Sequence, residues 1–188
     1  MCERYRTMPK ATIAQIEGRV GGGGCELIQA FDMRFGVIGE TILNQMEVPL
    51  GILPGGGGTQ RLPRLVGRGR ALEIILGGED LDAETAESWG LLNRAFAKDD
   101  VEAYVDRLAS RISSFPSEAI ALAKESVNAS DLPLAEGLIE EGYLFQRSIR
   151  SDAAQRRMRR FLAEGGQTRD AEVDMASLVG RLGGDAGD

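Results

Sequence analysis

Two glutamates stand beside two runs of glycine, and their carboxylates are the first candidates for acid/base chemistry in this chain. Glu26 follows the glycine run at residues 21–24, and Glu47 precedes a second run at residues 55–58. Histidine is absent from all 188 residues, which excludes Ser-His-Asp and Cys-His catalysis and most zinc sites. Proton transfer must therefore rely on carboxylates, Lys, Tyr or Cys.

The first glycine run lies between a predicted strand and a predicted helix. Glycines there let the backbone approach a ligand closely, and the helix start adds the positive end of its dipole. Such a turn suits an anion or an oxygen on which negative charge develops, with the Gly23 N–H as the expected donor. A Walker loop is excluded because no Lys-Ser/Thr follows, and a dinucleotide site is poorly matched because only Glu40 or Glu47 could bind the ribose.

Each glutamate also has a purely structural interpretation. Glu26, in the first turn of the helix, would complement the helix dipole by about 0.3–1 kcal/mol. Glu47 lies in the apolar loop 46–52, which would partly desolvate its carboxylate and suit it to proton transfer. Taken singly, a glutamate in either position more often has a structural role. The pair, with a glycine turn beside each member, favours a role in acid/base catalysis.

Composition narrows the classes of function. Apolar residues make up 43% of the chain and charged residues 27%, as in an ordinary globular domain. The net charge of −7 argues against a nucleic-acid partner. The charged N-terminus lacks a signal peptide and no run could span a membrane, so we expect no membrane partner and a cytoplasmic protein. Cys2 and Cys25 have neither metal spacing nor a disulfide framework, so we expect no metal and a simply packed Cys25.

The predicted elements indicate a parallel α/β arrangement followed by helices. Strands are predicted at 11–17, 33–38 and 91–96, with a helix after the first glycine run, a loop-rich stretch at 39–69 and a helix at 70–77. A further helix is expected from an N-cap at Asp82 to Gly90. Helices at 100–114, 116–129, 133–149 and 152–164 follow. We therefore predict an α/β core over 1–98, a helical region over 99–164 and a flexible tail over 165–188.

Three stretches resemble the crotonase (enoyl-CoA hydratase/isomerase) superfamily. They are GGGGCEL followed by FDMRF, the long segment that begins NQMEVPLGILPGGGGTQRL, and AKESVNAS. The resemblance covers nearly all of residues 8–165. It implies an α/β, crotonase-like fold with a spiral ββα core, incomplete at the N-terminus, and a C-terminal α-helical oligomerisation region.

The resemblance also implies an activity. In hydratases of this superfamily two glutamates hold one water for syn addition to a 2-enoyl-CoA, and Glu26 and Glu47 match their places. Gly23 would donate an N–H to the thioester oxygen, and the residues expected to bind substrate are Gly22, Leu50, Pro54 and Gly55. No cofactor is implied, because CoA is part of the substrate. Isomerases typically keep only the second glutamate, so hydration is favoured.

The chain departs from the family pattern at three points. Glu47 follows Glu26 by 21 residues, one more than is usual, and Met46 replaces the usual proline. We also expect an N-terminal truncation, because the upstream segment of the family pattern is missing from this sequence. In the family that segment gives the second N–H of the oxyanion hole. Three explanations of this truncation compete: a mis-assigned start codon, a partner chain that supplies the missing half, or a degenerate paralogue.

Several functions therefore stay open beside hydration. The chain could be a catalytically impaired subunit of a hetero-oligomer, an enoyl-CoA isomerase, or another acyl-CoA enzyme of this fold. The resemblance implies a homotrimer or hexamer built through the C-terminal helices.

Overall fold

The structure is a computed structural model that describes residues 2–182, apart from the side chains at 170 and 172. It divides into two units. The first, here called the α/β unit, comprises residues 2–7 and 12–107; the second, the helical unit, comprises residues 8–11 and 108–182. The boundary falls about ten residues later than the predicted one at 98/99.

Six strands form two small sheets in the α/β unit. They are β1 (Ile13–Ile16), β2 (Arg19–Gly21), β3 (Met33–Val37), β4 (Ile42–Asn44), β5 (Leu81–Asp82) and β6 (Arg94–Phe96). One sheet has the order β1-β3-β6 and is parallel throughout, with Ile13 opposite Met33. The other has the order β2-β4-β5, in which β2 and β4 are parallel and β5 is antiparallel.

Five helices complete this unit. They are α1 (Cys2–Thr7), α2 (Gly23–Ile28), α3 (Gly58–Val66), α4 (Arg68–Gly77) and α5 (Ala83–Trp89). The cap predicted for α5 is confirmed, because the Asp82 carboxylate accepts the N–H of Thr85 at 2.8 Å. Gly90 ends the helix in the left-handed conformation, with φ 86°.

The loop-rich interpretation of residues 39–69 was wrong. This stretch contains β4, the 3₁₀ turn Val48–Leu50 and the nine-residue helix α3. Pro63 lies inside α3, where it removes one backbone hydrogen bond. The helix persists because Leu62 and Val66, one turn apart, are buried in the core.

The core of the α/β unit surrounds the first glycine run. Cys25 and Ile28 of α2 pack in one cluster with Leu43 of β4 and Leu62 of α3. Cys25, Leu43 and Leu62 are completely inaccessible to solvent. The packed role predicted for Cys25 is confirmed, and α2 and α3 are thereby fixed against the same core.

The helical unit contains the helices expected from periodicity. α6 (Lys98–Ser113) crosses the boundary between the units, and α7 (Ser117–Asn128), α8 (Leu134–Ile149) and α9 (Asp152–Ala163) follow. None of the helices between residues 2 and 182 is long and apolar enough to cross a bilayer.

The described part of the predicted tail, residues 165–182, contains helices. Residues 165–182 include α10 (Arg169–Val173) and α11 (Met175–Leu182). Thr168 caps α10 by accepting the N–H of Ala171 at 3.3 Å, and Leu178 of α11 is buried. The prediction for residues 183–188 lies outside the described residues.

Candidate active site

Glu26 is held by the second glycine run. It lies in the first turn of α2 and is 4% exposed. Its Oε1 accepts the N–H of Gly56 at 2.7 Å and the N–H of Gly58 at 2.8 Å. A side chain at Gly56 would place a Cβ 2.8 Å from Glu26 Oε2, so the loop can approach the carboxylate only as glycine. Two amides thereby fix the position of this carboxylate oxygen.

Glu47 stands at the start of the 3₁₀ turn that follows β4. Its carbonyl accepts the N–H groups of Leu50 at 3.0 Å and of Ile52 at 3.1 Å, which fixes the backbone of the turn. The residue is 8% exposed. Its Oε2 is buried and makes no hydrogen bond to any described residue, so this oxygen is available as an acceptor.

Gly22 brings the two glutamates together. Its carbonyl accepts the Glu26 N–H at 3.0 Å, and its own N–H donates to the carbonyl of Asn44 at 3.1 Å. A Cβ at Gly22 would lie 3.1 Å from Glu47 Oε1, and φ at this residue is 52°. Close approach and left-handed backbone both require glycine here. The backbone of Glu26 and the carboxylate of Glu47 therefore both lie against Gly22, with Met46 packed beside it.

Cys25 reports the charge of this site. Burial first, and then the charges of Glu47 and Glu26, raise the pKa of its thiol to about 11. The hydrogen bond from the Gln29 amide, 3.6 Å from the sulfur, acts in the opposite direction. The thiol is therefore protonated at neutral pH and is a poor nucleophile. Both carboxylates act on the same sulfur, as expected if they share a site.

The other predicted site residues differ in their placement. Gly23 is the first residue of α2 and is exposed, so its N–H has no intrahelical acceptor. Pro54 is buried, and it lies 3.1 Å from the position of a Cβ at Gly58. Leu50 is 66% exposed on the 3₁₀ turn, and Gly55 is also exposed.

Three residues of the site were not predicted. Gly56 and Gly58 bind Glu26, and Arg61 donates from its Nη1 to the Gly56 carbonyl at 2.9 Å. The glycine run at 55–58 was the sequence signal for this role, because backbone N–H groups that no side chain shields commonly bind a carboxylate. Among the side chains that the structure describes, no three of His, Cys, Asp or Glu converge as a metal site would require.

Comparison with known proteins decides the family. A family model described as enoyl-CoA hydratase/isomerase matches residues 2–169. The chain belongs to this family. The predicted resemblance is thus confirmed, and so is the crotonase-like fold. An enoyl-CoA hydratase from Bacillus anthracis superposes with a TM-score of 0.83 at 34% identity, covering 87% of this chain and 63% of that one.

Curated members of the enoyl-CoA hydratase/isomerase family match at similar levels. A probable enoyl-CoA hydratase of Rhizobium meliloti is 41% identical over 164 residues, which are 86% of this chain and 63% of the relative. A protein of the same name from Mycobacterium leprae is 39% identical over 152 residues, or 80% of this chain and 58% of the relative. The chain thus spans less than two thirds of the length of these relatives.

Proposed function

We propose that this chain carries the acid/base pair of an enoyl-CoA hydratase, with Glu26 and Glu47 acting on one water. The observation that carries the proposal is the placement of two buried glutamates around Gly22: Glu47 Oε1 lies 3.1 Å from the position of a Cβ at Gly22, and the Gly22 carbonyl accepts the backbone N–H of Glu26. The Glu26 carboxylate is held by two amides, and the Glu47 carboxylate keeps a buried acceptor oxygen. The hydratase names of the relatives support the same reaction.

The chemistry requires one base and one acid. One glutamate takes a proton from water as the oxygen bonds to C3 of the 2-enoyl thioester. The π electrons of the C2=C3 bond move toward the thioester carbonyl, which becomes enolate-like. A proton is then delivered to C2 on the same face, giving syn addition and a 3-hydroxyacyl-CoA. Proton transfer by a positioned carboxylate contributes about 10²–10⁴-fold to such a rate.

The enolate-like oxygen needs a donor, and the Gly23 N–H is our candidate. It lies at the N-terminus of α2, where the helix dipole also favours negative charge. Removing one such donor typically costs about 3–4 kcal/mol of transition-state stabilisation. Gly22, Leu50, Pro54 and Gly55 are proposed to line the path of the acyl thioester. The proposal involves no metal or redox cofactor. The cytoplasmic location of the protein stays a prediction.

The proposal is tested by hydration of crotonyl-CoA. The purified chain should convert it to the 3-hydroxyacyl-CoA, followed by the loss of enoyl absorbance and by mass. Glu47→Gln keeps the shape of the side chain and removes a carboxylate that transfers a proton, so activity should fall by about 10²–10⁴-fold. Glu87→Gln is the matched control, since Glu87 is exposed on α5.

Full activity in Glu47→Gln, or no hydration by the native chain, would contradict the proposal. Conversion of a 3-enoyl-CoA to its 2-enoyl isomer without hydration would replace the proposed hydratase activity with an isomerase activity. Substrate profiling over acyl-CoAs of different chain length then separates further reactions of this fold.

We also propose that the helical unit mediates self-association, as a trimer or hexamer. Exposed apolar side chains lie along α8, among them Leu134 at 78%, Ile139 at 73% and Tyr143 at 59% exposure. Apolar patches of this kind mark interaction surfaces. Size-exclusion chromatography with light scattering distinguishes a homo-oligomer from a chain that associates only with a full-length relative.

A further inference from the structure

Arg61 contacts the glycine loop that holds Glu26. It lies on α3, and its side chain is only 17% exposed. Its Nη1 donates to the Gly56 carbonyl at 2.9 Å, and its Nη2 pairs with the carboxylate of Glu3 on α1. The guanidinium therefore links the loop to a helix that is 58 residues away in sequence.

The loop is shaped around this guanidinium. A Cβ at Gly57 would lie 2.1 Å from Arg61 Nη1, and φ at Gly57 is 109°. The left-handed backbone conformation favours glycine at this position. A Cβ there would also require the Arg61 guanidinium to move, so the glycine leaves room for the present position of the arginine.

The peptide that Arg61 holds lies between the two peptides that bind Glu26. The Gly56 N–H and the Gly58 N–H belong to the peptides on either side of the Gly56–Gly57 peptide, whose carbonyl accepts from Arg61. The middle peptide shares the α-carbons of Gly56 and Gly57 with its two neighbours, so a bond that holds it restricts the backbone dihedral angles on both sides. We propose that Arg61 is a positioning residue, which aligns the Glu26 carboxylate through the glycine loop. This inference rests on the proposed role of Glu26 in hydration.

Glu3 supports the arginine from the far side. Its carboxylate accepts from Arg61 and from Arg6, the latter at 2.8 Å. These bonds, the one from Arg6 first, lower the pKa of Glu3, which therefore stays charged at neutral pH. A charged hydrogen-bonded partner limits the orientations open to the Arg61 guanidinium.

The amides of Gly56 and Gly58 give a direct readout that needs no activity. We would label the full chain with ¹⁵N-glycine and compare the native protein with Arg61→Gln and Glu3→Gln. Loss of the arginine should move both amide proton resonances upfield and speed their hydrogen exchange by about tenfold or more. Glu3→Gln should move them in the same direction by less. Arg64→Gln is the matched control, because its Nη1 donates to Gln60 within the same helix.

Kinetics give the second readout. Misplacement of Glu26 should lower kcat of crotonyl-CoA hydration by about 10- to 100-fold in Arg61→Gln, while KM changes by less than about threefold. Arg61→Lys should recover part of kcat, because an ammonium can still bind the Gly56 carbonyl but lacks the planar fork.

The two readouts separate the failure of the inference from the failure of the proposed function. Unchanged amide resonances and exchange in Arg61→Gln would overturn the inference, as would equal changes in Arg64→Gln. Altered amides with no hydration by the native chain would support the positioning of Glu26 and contradict the hydratase proposal. A folded Arg61→Gln with altered amides and native kcat would overturn the inference.

Discussion

The α/β unit and the helical unit differ in how many of their apolar side chains they bury. The α/β unit buries a continuous cluster that includes Cys25, Leu43 and Leu62. In the helical unit the buried apolar residues among those described are Leu122, Leu144 and Leu178. Its larger exposed apolar residues are Val127, Leu132, Leu134, Leu138, Ile139, Tyr143, Phe145, Met158, Leu162 and Val173.

This contrast separates two tasks. Acid/base chemistry needs side chains fixed to within a fraction of an ångström, and a close-packed core supplies that precision. The glutamates accordingly lie in the α/β unit. The helical unit has apolar surface to cover, which is what an association surface requires.

The largest expected effect is on stability in the α/β unit. Leu43→Ala removes a fully buried side chain and should lower the free energy of unfolding by about 2–5 kcal/mol. Leu138→Ala, at a residue 55% exposed, should change that free energy by about 0.5 kcal/mol or less at a protein concentration where the chain is monomeric. Urea titrations measure both values. Equal losses would break the contrast between the units.

The next effect is a loss of stability in alkali that depends on Cys25. Its folded pKa of about 11 lies above the ordinary thiol value of 9.0. The unfolded chain therefore releases this proton first, and the free energy of unfolding falls as pH rises from about 9 to 11. The total loss is about 2–3 kcal/mol. Urea titrations at pH 8 and 11 should show this component in the native chain and in Cys2→Ala.

Cys25→Ala is the variant that isolates the thiol. Its free energy of unfolding should lack this pH-dependent component, although other groups titrate in the same range. A native thiol at Cys25 that reacts with a disulfide reagent at pH 8 as fast as the more accessible Cys2 would contradict the raised pKa.

The smallest effect on stability is expected for a variant that disrupts self-association. Ile139→Glu places a charge on the exposed face of α8, so it should reduce the sedimentation coefficient if that face mediates assembly. The free energy of unfolding of the monomer should change by about 0.5 kcal/mol or less. Glu140→Gln is the matched control. An unchanged sedimentation coefficient in Ile139→Glu would remove α8 from the proposed interface.

Local sequence signals predicted the elements whose bonds are local. The Asp82 side chain caps its helix by a bond to a residue three positions further along the chain. Glu26 lies in the first turn of the helix that the glycine run predicts. α3 was missed because its Pro63 is a local breaker, while the burial of Leu62 and Val66 that stabilises it is tertiary. Short strands such as β2, only three residues long, gave no periodic signal.

The sequence indicated two candidate glutamates but not the residues that hold them. Glu26 and Glu47 became candidates because of the neighbouring glycine runs and the family resemblance, and their catalytic role stays a prediction. The bonds that orient Glu26 reach 30 and 32 residues along the chain, to Gly56 and Gly58. The pairing of Arg61 with Glu3 depends on the packing of α1, which no local pattern encodes.

The most direct test of this account is a double-mutant cycle on crotonyl-CoA hydration with Glu26→Gln, Glu47→Gln and the double variant. Two side chains that act together on one water should each cause a loss of about 10²–10⁴-fold in kcat, and the double variant should be little slower than the slower single variant. Losses that multiply, or a Glu26→Gln variant with near-native kcat, would contradict the claim that these glutamates work as one pair.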